Sequence, residues 1–466
     1  MHKRFWLIVL LLLISGTVIA LPGAAQDDLP TACPVVVEDA LSILGDSCGG
    51  INRNEACYGY YRVEASFTQE VVEQFSDPGD FVPLPLLDTI RTLPPVLAND
   101  QWGLALLKVQ ANIPNTLPGQ AVTFLLMGDV TLENAVAAEA MGAAEPVTLT
   151  TTTGINVRSG PSTNFNILGS LASGVEFLAD GINDTGGWLR IEYAGESAWL
   201  ASAYASGDTA SLPVVSGERL SPMQSFYFST SGTDLECNDA REASLVIQGP
   251  EDLTIDLTVN GVDVELASSM LVRAGNQADH IDLIALDGRV QIDDAVVPRG
   301  FWATFPDPRR VALEGPPALD IAPVSDVLAD RLARLTEIDS RLLNYPLAPP
   351  DFEEISLRDT LGLELLSRLE EGVVEDLVGQ LREQGTTAAD LAALGETERL
   401  DAVRERLGET APALRDPLND ALRNNPLPSA SEPINPTAPP ASESAERQPT
   451  DNVGAALGEA GSAANS

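Results

Sequence analysis

Downstream of residue 4 the chain carries one histidine, His280, and one lysine, Lys108, and that scarcity decides which chemistry it can support. A Ser-His-Asp or Cys-His arrangement needs an imidazole to take and return the nucleophile's proton, so it would have to be built on His280. A zinc site with two or more histidines has no ligands to draw on. Schiff-base or Ser-Lys chemistry would rest on Lys108, inside the strand-like run Ala105-Leu106-Leu107-Lys108-Val109-Gln110. His280, in Asp279-His280-Ile281-Asp282, reads as a polar position at a strand start. No GxSxG, P-loop, HExxH or complete EF-hand loop is present. Carboxylates are plentiful, with 68 Asp and Glu against 27 Lys and Arg and a net charge of −41. An acid pair of the glycosidase kind is therefore the one catalytic arrangement that composition leaves open. The same charge repels nucleic acid and anionic lipid and is compatible with cationic partners or divalent ions. No cofactor, no metal site and no enzymatic activity is expected.

Cys33, Cys48, Cys57 and Cys237 are the remaining reactive side chains, and the N-terminus sets their redox setting. His2-Lys3-Arg4 precedes an apolar run from Phe5 to Leu21, then Pro22 and small residues to Ala25. That is the layout of a secretory signal peptide over residues 1–25. Left uncleaved, the run approaches the length of a membrane anchor. Either way the expected location is extracytoplasmic, and cysteines there pair by default. Three pairings are open, of which Cys33–Cys48 with Cys57–Cys237 is preferred.

The elements that must position these residues fall into blocks. Residues 32–144 read as a β-rich N-terminal domain, clearest at Trp102 to Gln110 and Ala121 to Leu126. Residues 216–316 form a second β-rich block of short alternating strands, with Asn260-Gly261 and Asp287-Gly288 as hairpin signals. Strands ending in Gln110 and Gln248, each followed by a Pro-bearing turn, hint at a duplicated β-unit. From 324 to 422 the period turns helical, with Leu328, Leu332, Leu335, Ile338 and Leu342 on one stripe. Gly385 reads as a helix stop, and Thr387 with Asp390 as a capping start. The Pro-, Ser- and Glu-rich tail, 427–466, is expected to be disordered.

Between the β-rich blocks, residues 148–205 alternate apolar and polar at Ile155, Val157, Leu189 and Ile191 around Gly-rich turns. Asn156-Val157-Arg158-Ser159-Gly160-Pro161, Gly186-Gly187-Trp188 and Ala198-Trp199-Leu200 resemble the signature elements of the bacterial SH3 (SH3b) family. The resemblance implies a small barrel, with Trp188, Trp199 and Phe177 as core mass, and binding at an envelope or matrix. Residues 237–305, with IDLIALDGRVQIDDAVVPRG, resemble more loosely the strand-Gly-strand rhythm of FecR-like periplasmic domains. The expected fold is thus mainly β and multidomain: a central SH3-like barrel between β-rich regions, then a helical region and a tail. The expected function is non-catalytic binding of peptidoglycan, another glycan or an envelope protein. Its alternatives are a carboxylate-dependent cell-wall hydrolase targeted by the SH3-like domain and an extracytoplasmic sensor subunit. Arg158, Asn164, Trp188, Trp199 and Tyr204 are the candidate ligand-binding residues.

Overall fold

The first element is a helix, α1 (Leu29–Cys48), whose Ala40, Leu41, Leu44 and Cys48 recur at helical spacing and are buried. The structure, a computed structural model, describes residues 29–394 apart from 70–73, 97–98, 114–118, 142–145, 195, 218, 232–242, 276, 278 and 312–316. It also describes 402–403, 405 and 416–419, and gives the backbone alone for 29–38 and 196. The signal segment, the tail, Cys237 and the Cys33 side chain lie outside the described residues.

After α1 come β1 (Glu55–Tyr58), β2 (Val63–Phe67), β3 (Phe81–Pro83), β4 (Leu87–Thr92), β5 (Leu104–Val109), β6 (Val122–Met127), β7 (Thr131–Asn134) and a single helical turn, α2 (Ala138–Met141). Cys48 is bonded to Cys57 of β1, with their Cα atoms 5.9 Å apart. This corrects the preferred Cys33–Cys48 and Cys57–Cys237 pairing. The Ile51 amide donates to the Cys48 carbonyl, and this turn folds β1 back beneath the helix end. The bridge thereby closes a short local loop.

A module of seven strands follows: β8 (Val147–Thr151), β9 (Ile155–Arg158), β10 (Ile167–Leu171), β11 (Glu176–Ile182), β12 (Trp188–Tyr193), β13 (Glu196–Ala201) and β14 (Ala205–Ser206). Then come β15 (Ser225–Ser229), β16 (Ser244–Gln248), β17 (Ile255–Val259), β18 (Val262–Leu266), β19 (Ser269–Ala274), β20 (His280–Asp287), β21 (Arg289–Ile292), β22 (Ala295–Pro298), β23 (Phe301–Pro306) and β24 (Asp320–Pro323). Helices α3 (Asp326–Ala333), α4 (Phe352–Leu361), α5 (Leu363–Leu366), α6 (Glu371–Glu383) and α7 (Ala388–Ala392) complete the order.

The expected barrel is not formed. The module is an open sheet in the order β10-β9-β13-β12-β11-β8-β14, and its two end strands do not pair with each other. Two features account for this: β14 offers only two residues, and β13 meets β9 at the single pair Trp199–Arg158. Nor does the module separate two independent β regions. Strands from before and after it interleave in one nine-stranded sheet, β24-β23-β20-β19-β16-β6-β5-β1-β3, and one eight-stranded sheet, β2-β4-β7-β15-β17-β18-β21-β22. The joints are β6 with β16 and β7 with β15, both antiparallel.

Burial explains the two strand textures. β6 and β16 are buried at every position because the nine-stranded sheet is covered on both faces. One face meets the eight-stranded sheet, where Phe124 of β6 and Phe226 of β15 lie edge to face at 5.2 Å. The other packs Leu106, Leu125 and Val246 with Leu44 of α1 and Leu332 of α3. Leu335, Ile338 and Leu342 join that layer although α3 ends at Ala333, so the apolar stripe outlasts its helix. β17 and β18 alternate buried and open positions, as strands with one wet face do.

The two parts of the sandwich repeat one pairing scheme. β1 pairs with β5, β2 with β4, β5 with β6 and β4 with β7. In the same order β16 pairs with β19, β17 with β18, β19 with β20 and β18 with β21. Asn260-Gly261 makes the β17–β18 hairpin, with positive φ at both residues. Asp287-Gly288 instead carries the chain from one sheet to the other, as Gly128-Asp129 does between β6 and β7.

Lys108 ties the layers together: its Nζ donates to Thr123 Oγ1 at 2.6 Å and to the Leu342 carbonyl at 2.8 Å. Burial lowers the ammonium from its ordinary 10.5 to about 8. Between those values the unfolded chain holds the proton that the folded chain has released, so stability contributed here rises with pH. Urea unfolding at pH 7 and pH 10 is expected to show the natural chain gaining about 2–3 kcal/mol relative to Lys108→Met. Parallel curves would withdraw this role.

Candidate functional site

Strand alternation in the module sorts its side chains onto two faces. Leu149, Val157, Leu189, Ile191, Ala198 and Leu200 form the core on one face, with Phe177 and Tyr193 packed at its margin. Trp199, between Ala198 and Leu200, must point the other way, where its cross-strand partners are Arg190 of β12 and Arg158 of β9. Asp180 of β11 extends this polar row. Its carboxylate accepts from Arg190 Nε at 3.0 Å and from Arg219 Nε at 3.2 Å. Arg190 is fully buried, and its second arm donates to the Ala140 carbonyl at 3.1 Å.

That carbonyl belongs to the connection entering the module, which is bonded to the one leaving it. The Ser216 amide donates to the Glu139 carbonyl at 2.9 Å, and the Leu220 amide to the Ala140 carbonyl at 3.2 Å. The row Asp180–Arg190–Trp199–Arg158 thus starts at the paired connections and ends at the loop 159–166. There Arg158 Nη1 donates to the Thr163 and Phe165 carbonyls at 3.0 and 2.8 Å. Gly160 lets the Phe165 ring lie against the loop backbone, where a Cβ would sit 2.5 Å from the ring. The loop therefore has a fixed shape, and it presents Asn164 and Phe165 to solvent.

The five sequence candidates do not converge. Trp199 is 2% exposed, enclosed within the row, and Arg158 is half-buried as the loop's brace. Trp188 is half-buried opposite Ala201, and its amide donates to Asn183 Oδ1 at 2.9 Å. Tyr204 is exposed in the turn Ser202–Tyr204 beyond the Ala201 end of β13, where its carbonyl accepts from Thr152. Asn164 is in the loop beyond β9. Sequence reasoning passed over the apolar surface beside Asn164: Phe165, Ile167 and Leu168 are 46, 56 and 45% exposed. A bulge between Ile167 and Gly169 lets the two consecutive branched side chains both reach solvent on the edge strand. The signal was present in the adjacent pair Ile167-Leu168, which breaks the module's alternation.

Neither sequence candidate for basic chemistry joins the site. Lys108 is the interlayer tie, and His280 opens β20, its carbonyl accepting from the Gly275 amide at 2.8 Å. Among the described residues no group of three or more His, Cys, Asp or Glu is placed to hold a metal ion.

Residues 153–206 match the family model of the bacterial SH3 domain, so the module is such a domain, open-sheeted in this protein. Domains of this family are non-catalytic adaptor modules. No curated protein and no solved structure matches the chain.

The row carries two separable consequences for stability. Asp180→Asn leaves the Arg190 charge buried without its carboxylate and is expected to cost about 3–5 kcal/mol in chemical unfolding. Trp199→Ala, a cavity at an enclosed site, is expected to cost a similar amount, roughly 3–5 kcal/mol. Losses below about 1 kcal/mol, the scale of a solvent-exposed pair, would mean that the row is not the module's anchor.

Proposed function

We propose that the bacterial SH3 domain at residues 153–206 holds this protein to peptidoglycan at the cell envelope, and that the chain is exported to act there by binding. The observation that carries the reading is the family match, placed on a module whose braced loop and edge strand offer Asn164, Phe165, Ile167 and Leu168 to solvent. Domains of this family generally mediate contacts with proteins or peptidoglycan. An aromatic ring and branched side chains beside an amide suit the apolar faces and acetamido groups of amino sugars and their peptide stems. The Cys48–Cys57 bridge and the basic-apolar-small layout of residues 1–25 support export to an oxidising compartment.

Co-sedimentation of the full chain with purified sacculi tests the binding. Retention is expected to fall about tenfold in Ile167→Asn/Leu168→Asn, the size of a modest hot-spot loss, with the unfolding midpoint unchanged. A natural chain that stays in the supernatant, or a variant that sediments equally well, removes the reading. Fractionation of cells with intact mass of the recovered protein tests export, with the chain expected in the envelope fraction with a mature start near Gln26; recovery of the chain from the cytoplasm alone contradicts it.

A further inference from the structure

A second site is built where the module faces the eight-stranded sheet. The two enclose a cleft of about 980 Å³. Its walls carry Glu176 and Glu192 from the module and Asp256, Asp263, Glu265 and Asp293 from the sheet side. Apart from Glu192, none of these carboxylates makes an ion pair among the described residues. Asp256 accepts from Asn112 and Asp263 from Thr258, which are neutral donors. The guanidinium on the lining, Arg219, is paired with Asp180. Arg53 also lies near, coupled to Glu192 and Arg219, so the carboxylates outnumber the guanidinium groups about the cleft without excluding them, and such an excess between low-dielectric walls concentrates cations.

Two buried hydroxyls point independently to a ligand. Ser221 is 5% exposed and lines the cleft, and its Oγ has no hydrogen-bond partner. Ser197 Oγ, on the module side of the same cleft, is likewise buried without a partner. A buried hydroxyl left unpaired is costly and rare in folded proteins. Rotation about χ1 would turn the Ser221 hydroxyl toward the cleft, where a ligand N–H donor would satisfy it.

We propose that this cleft binds a short, extended Lys- or Arg-bearing peptide segment of another protein. The carboxylates are spread over both walls and do not gather into a metal-binding group, which suits several separated cations on one chain rather than one divalent ion. Phe177 and Tyr193 line the same space and give apolar surface for the alkyl stems of such side chains. Arg219 and the Gln224 amide supply N–H donors for peptide carbonyls, a feature a polyamine cannot use. The chain itself is poor in basic residues, so the segment comes from elsewhere, drawn by a net charge of −41. Glycan binding at the β10 edge is not required for it.

Fluorescence anisotropy of a labelled Lys-Ala hexapeptide repeat, added to the full chain at low salt, tests the site. Saturable binding that weakens with salt is expected, and the matching Glu-Ala peptide should not bind. Asp263→Asn/Glu265→Gln should weaken binding at least about tenfold, the scale of losing one close charge contact, and Ser221→Ala should weaken it measurably. Glu370→Gln/Asp376→Asn on the remote helical region removes the same charge and should leave binding unchanged, with both double variants unfolding at the natural midpoint. No saturable binding overturns the proposal, as does equal weakening by the cleft and remote variants, which would mean attraction to net charge alone. Spermidine or calcium competing as strongly as unlabelled peptide also overturns it, assigning the cleft to a small cation.

Discussion

The ladder between β6 and β16 is the joint on which the rest of this fold hangs. Thr123 stands opposite Gln248 and Met127 opposite Ser244, although the whole bacterial SH3 domain lies between them in sequence. Closing so long an excursion is entropically tolerable, because the cost grows only with the logarithm of loop length. What holds the ladder together is burial: every residue of both strands is enclosed between the helical layer and the eight-stranded sheet. A strand buried on both faces cannot be left unpaired, since its amides and carbonyls would have no water to turn to. Gln248 shows how thoroughly this end is finished. Its side chain donates to the Tyr345 carbonyl and accepts from the Asn344 amide.

The repeated pairing scheme gives this joint its logic. In each half, one strand opens the nine-stranded sheet, the chain visits the eight-stranded sheet, returns for two consecutive strands, and leaves again through a glycine-bearing turn. The second half begins by placing β16 beside β6, the first half's last strand in the nine-stranded sheet, so the halves share a continuous core. β3 occupies beside β1 the place that β6 occupies beside β16. In the eight-stranded sheet the halves meet through β15, which runs antiparallel to β7 and parallel to β17.

Local chemistry was legible in the sequence, and long-range chemistry was not. The Asn260-Gly261 hairpin, the stop at Gly385 and the reciprocal cap between Thr387 and Asp390 each depend on a few adjacent residues, and each is present. The module's strands were readable because their alternation and turns lie within one short segment. The interleaving of the sheets was hidden, since nothing local distinguishes a strand that pairs with its neighbour from one that waits for a partner beyond the module. Asp287-Gly288 illustrates the limit: the dipeptide marks a turn faithfully but not whether the next strand stays in the same sheet. Trp199 illustrates another. Its type suggested a stacking surface or core mass, but the face it occupies follows from register with Arg158 and Arg190. The Cys48–Cys57 bridge was missed because α1 was not seen, and its end is what brings the two sulfurs together.

The paired connections at Glu139–Ser216 and Ala140–Leu220 have a mechanical meaning. A domain appended at a chain end hangs by one strand and swivels. This one is joined by two connections, cross-bonded at the neck, that lead to neighbouring strands, β7 and β15, of the sandwich. A pull on the domain is shared between two covalent paths and passes into strands that are each paired on their other side, β7 with β4 and β15 with β17. The domain is therefore fixed to the sandwich at two points of the chain, so it has no single backbone hinge about which to turn.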